Sequence, residues 1–371
     1  MSPDPGVPVL YLRGNVVARH IRGALAGLLV VGGLIMTDSA AAGPGSSPQS
    51  GSDDGSGNVR QRSDANVNLP TPTFGGTQFW GDVRFFSGWR IQQNVFTGHH
   101  RVLDPSGIRR AWGAREACED HLDGLIRARK ISPMSGTAVI LLHGAIRSSK
   151  SLAKMGVALA EDGYTIVPFD YPSTKAEIET SADYLQQVVE RLEGIEKIHF
   201  VTHSMGGLVV RSWSGRYGDK RCGRLVMMGV PNLGARMADH LKTNLLFKLL
   251  YGQAGQQLSS ESKGFIAQLP TPKFEFGVIA GKAGTARGFN PLVPGDDDGT
   301  VSVESTRLPG ATDFVSIRGG HSFLMFKPEV IEWTRRYLKH GHFREDGTRK
   351  PIAVETRGQD KKPGPVASDP D

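Results

Sequence analysis

Two regions of the chain carry side chains of the types used in nucleophilic catalysis, and a third could assist them. The first is Ile198-His-Phe-Val-Thr-His-Ser-Met-Gly-Gly207. Its apolar half reads as a strand and its glycine-rich half as the start of a helix. Ser204 then falls in the tight turn between them, where a strained backbone pushes a hydroxyl out of the sheet. The helix start adds free N–H groups and a positive dipole end beneath the serine. The second region is Pro294-Gly-Asp-Asp-Asp-Gly-Thr-Val-Ser-Val303 with Arg318-Gly-Gly-His-Ser-Phe323 downstream. A hydroxyl becomes a competent nucleophile when a neutral imidazole takes its proton and a carboxylate holds the other ring nitrogen as a donor. His321 has the type and place of that base. Asp296, Asp297 and Asp298 compete for the acid, and three adjacent carboxylates also fit a solvated turn or a cation-binding loop. The third is Ile140-Leu-Leu-His-Gly-Ala-Ile-Arg-Ser-Ser149, a buried strand running through His143-Gly144 into a polar loop.

The surrounding pattern supplies elements to hold these groups. Residues 137–142 form a continuous apolar run, the mark of a strand buried on both faces of a parallel sheet. Helical spacing at 152–161, 181–192 and 206–216 alternates with strand-like runs at 165–169, 197–202 and 224–230. That alternation predicts an α/β fold with a mostly parallel sheet and right-handed crossovers. Helical patterns at 238–251 and 261–269 interrupt it, strands return at 274–280 and 313–317, and a last amphipathic helix covers 328–338. Between Phe79 and Val102 the aromatic and β-branched runs suggest one or two antiparallel strands at a sheet edge. In open α/β sheets ligands bind beyond the carboxyl ends of the strands, where all three segments fall.

Taken together, Thr202-His-Ser-Met-Gly-Gly207, His143-Gly144-Ala145, Asp298-Gly-Thr-Val301, His321 and Gly229-Val-Pro-Asn-Leu-Gly234 resemble the motifs of α/β-hydrolase-fold esterases and lipases, bacterial triacylglycerol lipases among them. The resemblance spans roughly residues 137–338. It implies the α/β-hydrolase fold, with helices flanking a central sheet and a helical cap at about 235–272 between the sixth and seventh strands. It also implies hydrolysis of acyl or lipid esters by Ser204, His321 and an acid, in the family's chain order Ser, Asp, His. The D-G-x-V match selects Asp298, and the oxyanion donors become the N–H groups of Ala145 and Met205. Leu233, Leu245 and Leu249 are the expected substrate-binding side chains. Thr202 departs from the family's first elbow glycine, so a small neighbour must absorb it. An acyltransferase or thioesterase would use the same relay, and a catalytically silent, lipid-binding hydrolase fold is the alternative from another class.

Composition narrows the rest. With 371 residues, 39% hydrophobic, 44 Lys+Arg against 37 Asp+Glu and 2 Cys, the chain is neither disordered throughout nor a disulfide-stapled scaffold. Its basic residues are scattered, which argues against nucleic acid as a partner. The expected partner is an ester or lipid substrate, with transient contact to a membrane surface. No cofactor motif is present, serine chemistry requires none, and no metal site is expected. Arg13, Arg19 and Arg22 precede an apolar run and then Ser39-Ala-Ala-Ala42, the order of a signal peptide over 1–42. Its apolar helix would span only about 22 Å of about 30 Å of hydrocarbon, so export (periplasmic or secreted) is expected over a permanent membrane anchor. Residues 43–73 read as a disordered linker, 74–340 as the hydrolase domain and 341–371 as a disordered tail. Cys118 and Cys222 could pair in an exported protein. His99, His100 and His340 read as surface residues, and His143 as structural.

Overall fold

The computed structural model describes residues 71–72, 76–233, 265–266 and 268–354. The expectations for 1–70, for the tail beyond 354 and for most of the insertion, Leu245 and Leu249 included, lie outside the described residues.

The apolar run at 137–142 becomes β6 (Gly136–Leu142), and its alternation explains the layers around it. Ala138, Ile140 and Leu142 enter one core with Phe200, Met227 and Val278. Val139 and Leu141 enter a second with Val201, Val226 and Ile279. Because side chains alternate across a strand, one continuous apolar run feeds both faces. The first core is closed by α3 (Ile178–Glu190) and α4 (Met205–Arg216), where Ile178, Ala182, Leu185 and Val189 fall at helical spacing. The second is closed by α2 (Ala153–Glu161) and the last helix, α5 (Pro328–His340).

The sheet between them has the expected parallel character. Its order is β11-β10-β9-β8-β6-β7, with β7 Thr165–Phe169, β8 Ile195–His203, β9 Cys222–Met228, β10 Phe276–Lys282 and β11 Asp313–Arg318. Every neighbouring pair is parallel. From β6 the chain first steps outward to β7, then returns to lay β8 on the other side of β6. Such a reversal, here at the carboxyl ends of β6 and β8, is where open α/β sheets bind ligands. The insertion leaves after β9 and returns before β10. Buried Arg211 of α4 holds both roots, donating to the carbonyls of Asn232 (2.6 Å), Pro270 (3.1 Å) and Leu269.

Four expectations need correction. The region before β6 holds a separate antiparallel sheet rather than one or two edge strands. Its order is β1-β5-β4-β3-β2, from β1 (Thr71–Pro72), β2 (Trp80–Phe86), β3 (Trp89–Asn94), β4 (His100–Leu103) and β5 (Ile108–Gly113). β2 and β3 coincide with the two aromatic runs, whereas β4 and β5 are unexpected. β4 is four residues long with His100 and Arg101 buried, and β5 carries Arg109 and Arg110, so neither shows a clear apolar alternation. His100 is likewise buried in β4, not on the surface. Cys118 and Cys222 are free thiols: the first sits on α1 (Arg115–Arg129), which packs on β4 and β5, the second in β9 of the other sheet.

The fourth correction concerns the tail, which is packed through 354. The buried carboxylate of Asp313 accepts from Phe343 N–H (2.8 Å), Lys350 N–H (2.8 Å) and Arg344 (2.7 Å). Ile352 exchanges backbone bonds with Gly310 and Ala311. Phe343 fills the second core, stacked on Tyr337 at 4.6 Å between ring centroids. Phe343→Ala should therefore cost about 3–5 kcal/mol of unfolding free energy in urea titration. A loss below about 0.5 kcal/mol would mean that this segment packs on nothing.

Candidate active site

The turn after β8 is strained at one residue. Ser204 has φ 52° and ψ −124°, a conformation L residues rarely adopt, and its N–H is held by the Met228 carbonyl at 2.9 Å. The chain enters α4 immediately, and Gly206 passes the end of β6 so closely that a Cβ would lie 2.7 Å from the Leu142 carbonyl oxygen. Only hydrogen fits there. Thr202, in place of the family's glycine, is fully buried, and its hydroxyl donates to the Val226 carbonyl at 3.2 Å. The added polar group is thus satisfied inside the sheet, which makes the substitution tolerable.

The loops after β10 and β11 bring the other two groups to this turn. His321 Nε2 lies 3.0 Å from Ser204 Oγ, and His321 Nδ1 lies 2.8 Å from Asp298 Oδ2. An ionised carboxylate only accepts, so Nδ1 carries the proton and Nε2 is free to accept the serine O–H. Asp298 is fixed in turn: its Oδ1 accepts the N–H groups of Thr300 (3.0 Å) and Val301 (2.7 Å), and its carbonyl accepts His321 N–H at 2.8 Å. The three rival carboxylates diverge. Asp296 accepts from the N–H groups of Ala283 and Gly284, and Asp297 from those of Asn290 and Gly299. Of the three, only Asp298 faces the imidazole. Gly229, at φ 57°, lies under this pair, and a Cβ there would come within 3.3 Å of both His321 Nδ1 and Asp298 Oδ2.

Gly144, the residue before Ala145, abuts the serine, since a Cβ there would lie 3.1 Å from Ser204 Cβ, and Met205 follows the serine in the chain. Neither the Ala145 nor the Met205 N–H is taken up by a protein acceptor among the described residues. His143, one residue before the loop, is buried and stacked on Tyr171 at 4.3 Å, with Nδ1 donating to the Gly144 carbonyl at 2.7 Å. Burial holds its pKa below the ordinary histidine value. Leu233 sits half-buried at the root of the insertion, its N–H on the Ser305 carbonyl at 3.0 Å.

Two further groups had little or no sequence signal. His203 lies against His321, ring centroids 4.7 Å apart, and donates Nε2–H to the His321 backbone carbonyl at 3.0 Å. Burial, then the neighbouring His321, keeps it neutral far below the usual histidine range. It therefore braces the His321 backbone as a neutral ring. The other group is a charge cluster joining the two sheets. Asp170, just past β7, accepts from Ser149 N–H (2.6 Å), Ser149 O–H (3.0 Å) and Arg90 (2.7 Å). Asp82 of β2 accepts from Asp170 N–H and Gln92 at 2.7 Å each, and Arg101 donates to Gln92 Oε1. Ser149 ends the loop that carries Ala145, so the cluster ties that loop to the antiparallel sheet. An acid at the carboxyl end of a strand was the available signal for Asp170; its partners in β2 and β3 had none.

The match to a family model agrees with this architecture. Residues 137–273 match the family model described as alpha/beta hydrolase fold. No curated protein matches the sequence. Among solved structures, the product of gene lin2722 from Listeria innocua is 20% identical, with 60% of this chain and 99% of that one covered at a TM-score of 0.43. A thermophilic esterase from Thermogutta terrifontis is 18% identical, covering 57% and 92% at 0.36. An esterase from Exiguobacterium antarcticum is 16% identical, covering 56% and 93% at 0.37.

Asp82 and Asp170 share one guanidinium, so their titrations move apart. Burial pushes the Asp82 carboxyl up to about 6, with Arg90 opposing and the Asp170 charge adding to the rise. For Asp170 burial also pushes upward, but Arg90, His143 and Ser149 N–H outweigh it and hold the carboxyl low. A raised folded-state pKa means that the native state takes up the Asp82 proton first. The resulting stabilisation is present below about 4 and is lost as pH rises through about 6. Relative to Asp82→Asn, wild type should therefore gain stability as pH falls from 7 to 4, measured by urea unfolding at each pH. A difference that did not change with pH would contradict this assignment.

Proposed function

We propose that this chain, an α/β hydrolase by fold, is a serine hydrolase that cleaves carboxylic esters through Ser204, His321 and Asp298. The observation that carries the proposal is the unbroken line of two hydrogen bonds, 3.0 Å and 2.8 Å, from hydroxyl to imidazole to carboxylate. Every member is buried and held by further bonds, so the line is set before any substrate arrives.

Each step follows from that line. His321 Nε2 takes the Ser204 proton as Oγ attacks the ester carbonyl carbon. The tetrahedral oxyanion forms between the N–H groups of Ala145 and Met205, each worth about 3–4 kcal/mol of transition-state stabilisation. Asp298 remains ionised and stabilises the imidazolium. Collapse breaks the bond to the alcohol oxygen, which leaves with the proton from Nε2. Water then attacks the acyl-enzyme, His321 takes its proton, and the acid departs as Ser204 is regenerated.

An apolar acyl group is supported by the surroundings of the site. Ile146, Phe289, Leu292 and Phe323 are exposed, and they lie on the loops that carry Ala145, Asp298 and His321. The order of basic, apolar and small residues in 1–42 supports export.

A p-nitrophenyl ester series should be hydrolysed, with the preferred acyl length reporting the apolar contacts. Ser204→Ala should lose on the order of 10⁶ in kcat, and a fluorophosphonate should label Ser204. Equal turnover by wild type and Ser204→Ala would end the mechanism. Export predicts that mass spectrometry of the secreted protein finds an N-terminus near Gly43; recovery of full-length protein from membranes would favour an anchor.

A further inference from the structure

The loop after β6 holds a β-branched residue in a left-handed conformation. Ile146 has φ 62° and is 63% exposed, so its own side chain does not anchor it. Such backbone persists only where surrounding contacts over-determine it. A ring of hydrogen bonds does so here. Ile146 N–H donates to Ser173 Oγ at 3.2 Å, and Ser173 O–H donates to Gln78 Oε1 at 3.0 Å. Gln78 Nε2 then donates to the Arg147 carbonyl at 2.7 Å, closing the ring on the next residue of the loop. Thr174 O–H adds a second donor to Gln78 Oε1 at 3.1 Å.

A primary amide suits this place because it accepts and donates at once. Glutamate has the same length but, when ionised, offers nothing to the Arg147 carbonyl. Asparagine keeps both groups and is one methylene short. Gln78 reaches the loop from the turn Gly76–Phe79, immediately before β2 and outside the matched stretch 137–273.

From this ring we infer that Gln78 is a positioning residue for ester hydrolysis: by clamping the Arg147 carbonyl it fixes the strained 145–147 backbone, and so aims the Ala145 N–H at the reacting oxygen. Gln78 touches neither the serine nor the imidazole in the hydrogen bonds described. The inference rests on the ester-hydrolase reading for its kinetic consequence. The clamp itself has a consequence that does not need that reading, namely protection of the Ile146 amide.

The test compares wild type, Gln78→Ala and Gln78→Glu in the full chain. Loss of aim at a transition-state donor should lower kcat by roughly ten- to a hundredfold and leave KM within about twofold, because the contact matters most once the oxyanion forms. Hydrogen–deuterium exchange of peptides covering 144–149 should quicken in both variants, with exchange in β8 and β9 unchanged. Gln78→Glu keeps the volume and hydroxyl partners, so it judges the clamp even where the alanine variant unfolds. Wild-type kcat in a folded variant, or unchanged exchange at 144–149, would overturn the positioning role. A wild-type chain that hydrolyses no ester would instead remove the proposed function, and the exchange measurement alone would then decide for or against the clamp.

Discussion

One hydrogen bond sets the terms for the rest of the molecule: the hydroxyl of Ser204 against the imidazole of His321, 117 residues later. A contact of such sequence separation carries a chain-closure cost that local structure cannot offset. The sheet meets it by placing β8, β9, β10 and β11 side by side in parallel, so that successive strands end on the same edge. Each loop leaving that edge then has only a short distance to cover. The close approaches explain the glycines. Gly206 clears the end of β6 and Gly229 clears the imidazole–carboxylate pair, where a single added carbon would force the groups apart.

Holding an imidazole at that edge raises a second problem, because buried polar groups are costly unless partnered. The solution is a shell of groups that hold the ring and its backbone in one orientation. His203 braces the His321 carbonyl yet stays neutral, since burial suppresses its charged form. Asp298 has both carboxylate oxygens engaged, one by backbone N–H groups and one by the ring, which fixes the tautomer that leaves Nε2 free. Its neighbours Asp296 and Asp297 spend their charge on other backbone donors. Three adjacent acids thus serve three different turns.

The parallel half of the fold was legible because its strands are apolar on both faces and its helices keep a clear period. Ser204 and His321 stood out by type, order and position at strand ends, whereas Asp298 was separated from Asp296 and Asp297 only by the family resemblance of Asp298-Gly-Thr-Val301. Of the antiparallel sheet, β2 and β3 were legible in their aromatic runs, but β4 and β5 were not, because they are short and carry His100, Arg101, Arg109 and Arg110. The tail misled by composition, since charge and glycine outnumber Phe343 and Ile352, the residues that tie it down. No local pattern announces that Gln78 meets a loop 69 residues on or that Asp82 meets Asp170, 88 residues on; those contacts exist only after the two sheets abut.

That abutment bears on what the antiparallel sheet is for. Its link to β7 is a pair of carboxylates sharing Arg90, and buried ion pairs of this kind are poor sources of stability compared with apolar packing. An apolar joint would fasten the sheets as well, but it could not present acceptors to Ser149 at the end of the loop carrying Ala145. The polar joint makes sense if its task is directional. It fixes one end of that loop through Asp170, while the turn before β2 reaches the middle. On this view the site divides by origin: the parallel sheet supplies Ser204, His321 and Asp298, and the antiparallel sheet holds the backbone of the 145–149 loop, the division of labour that the proposed hydrolysis would use.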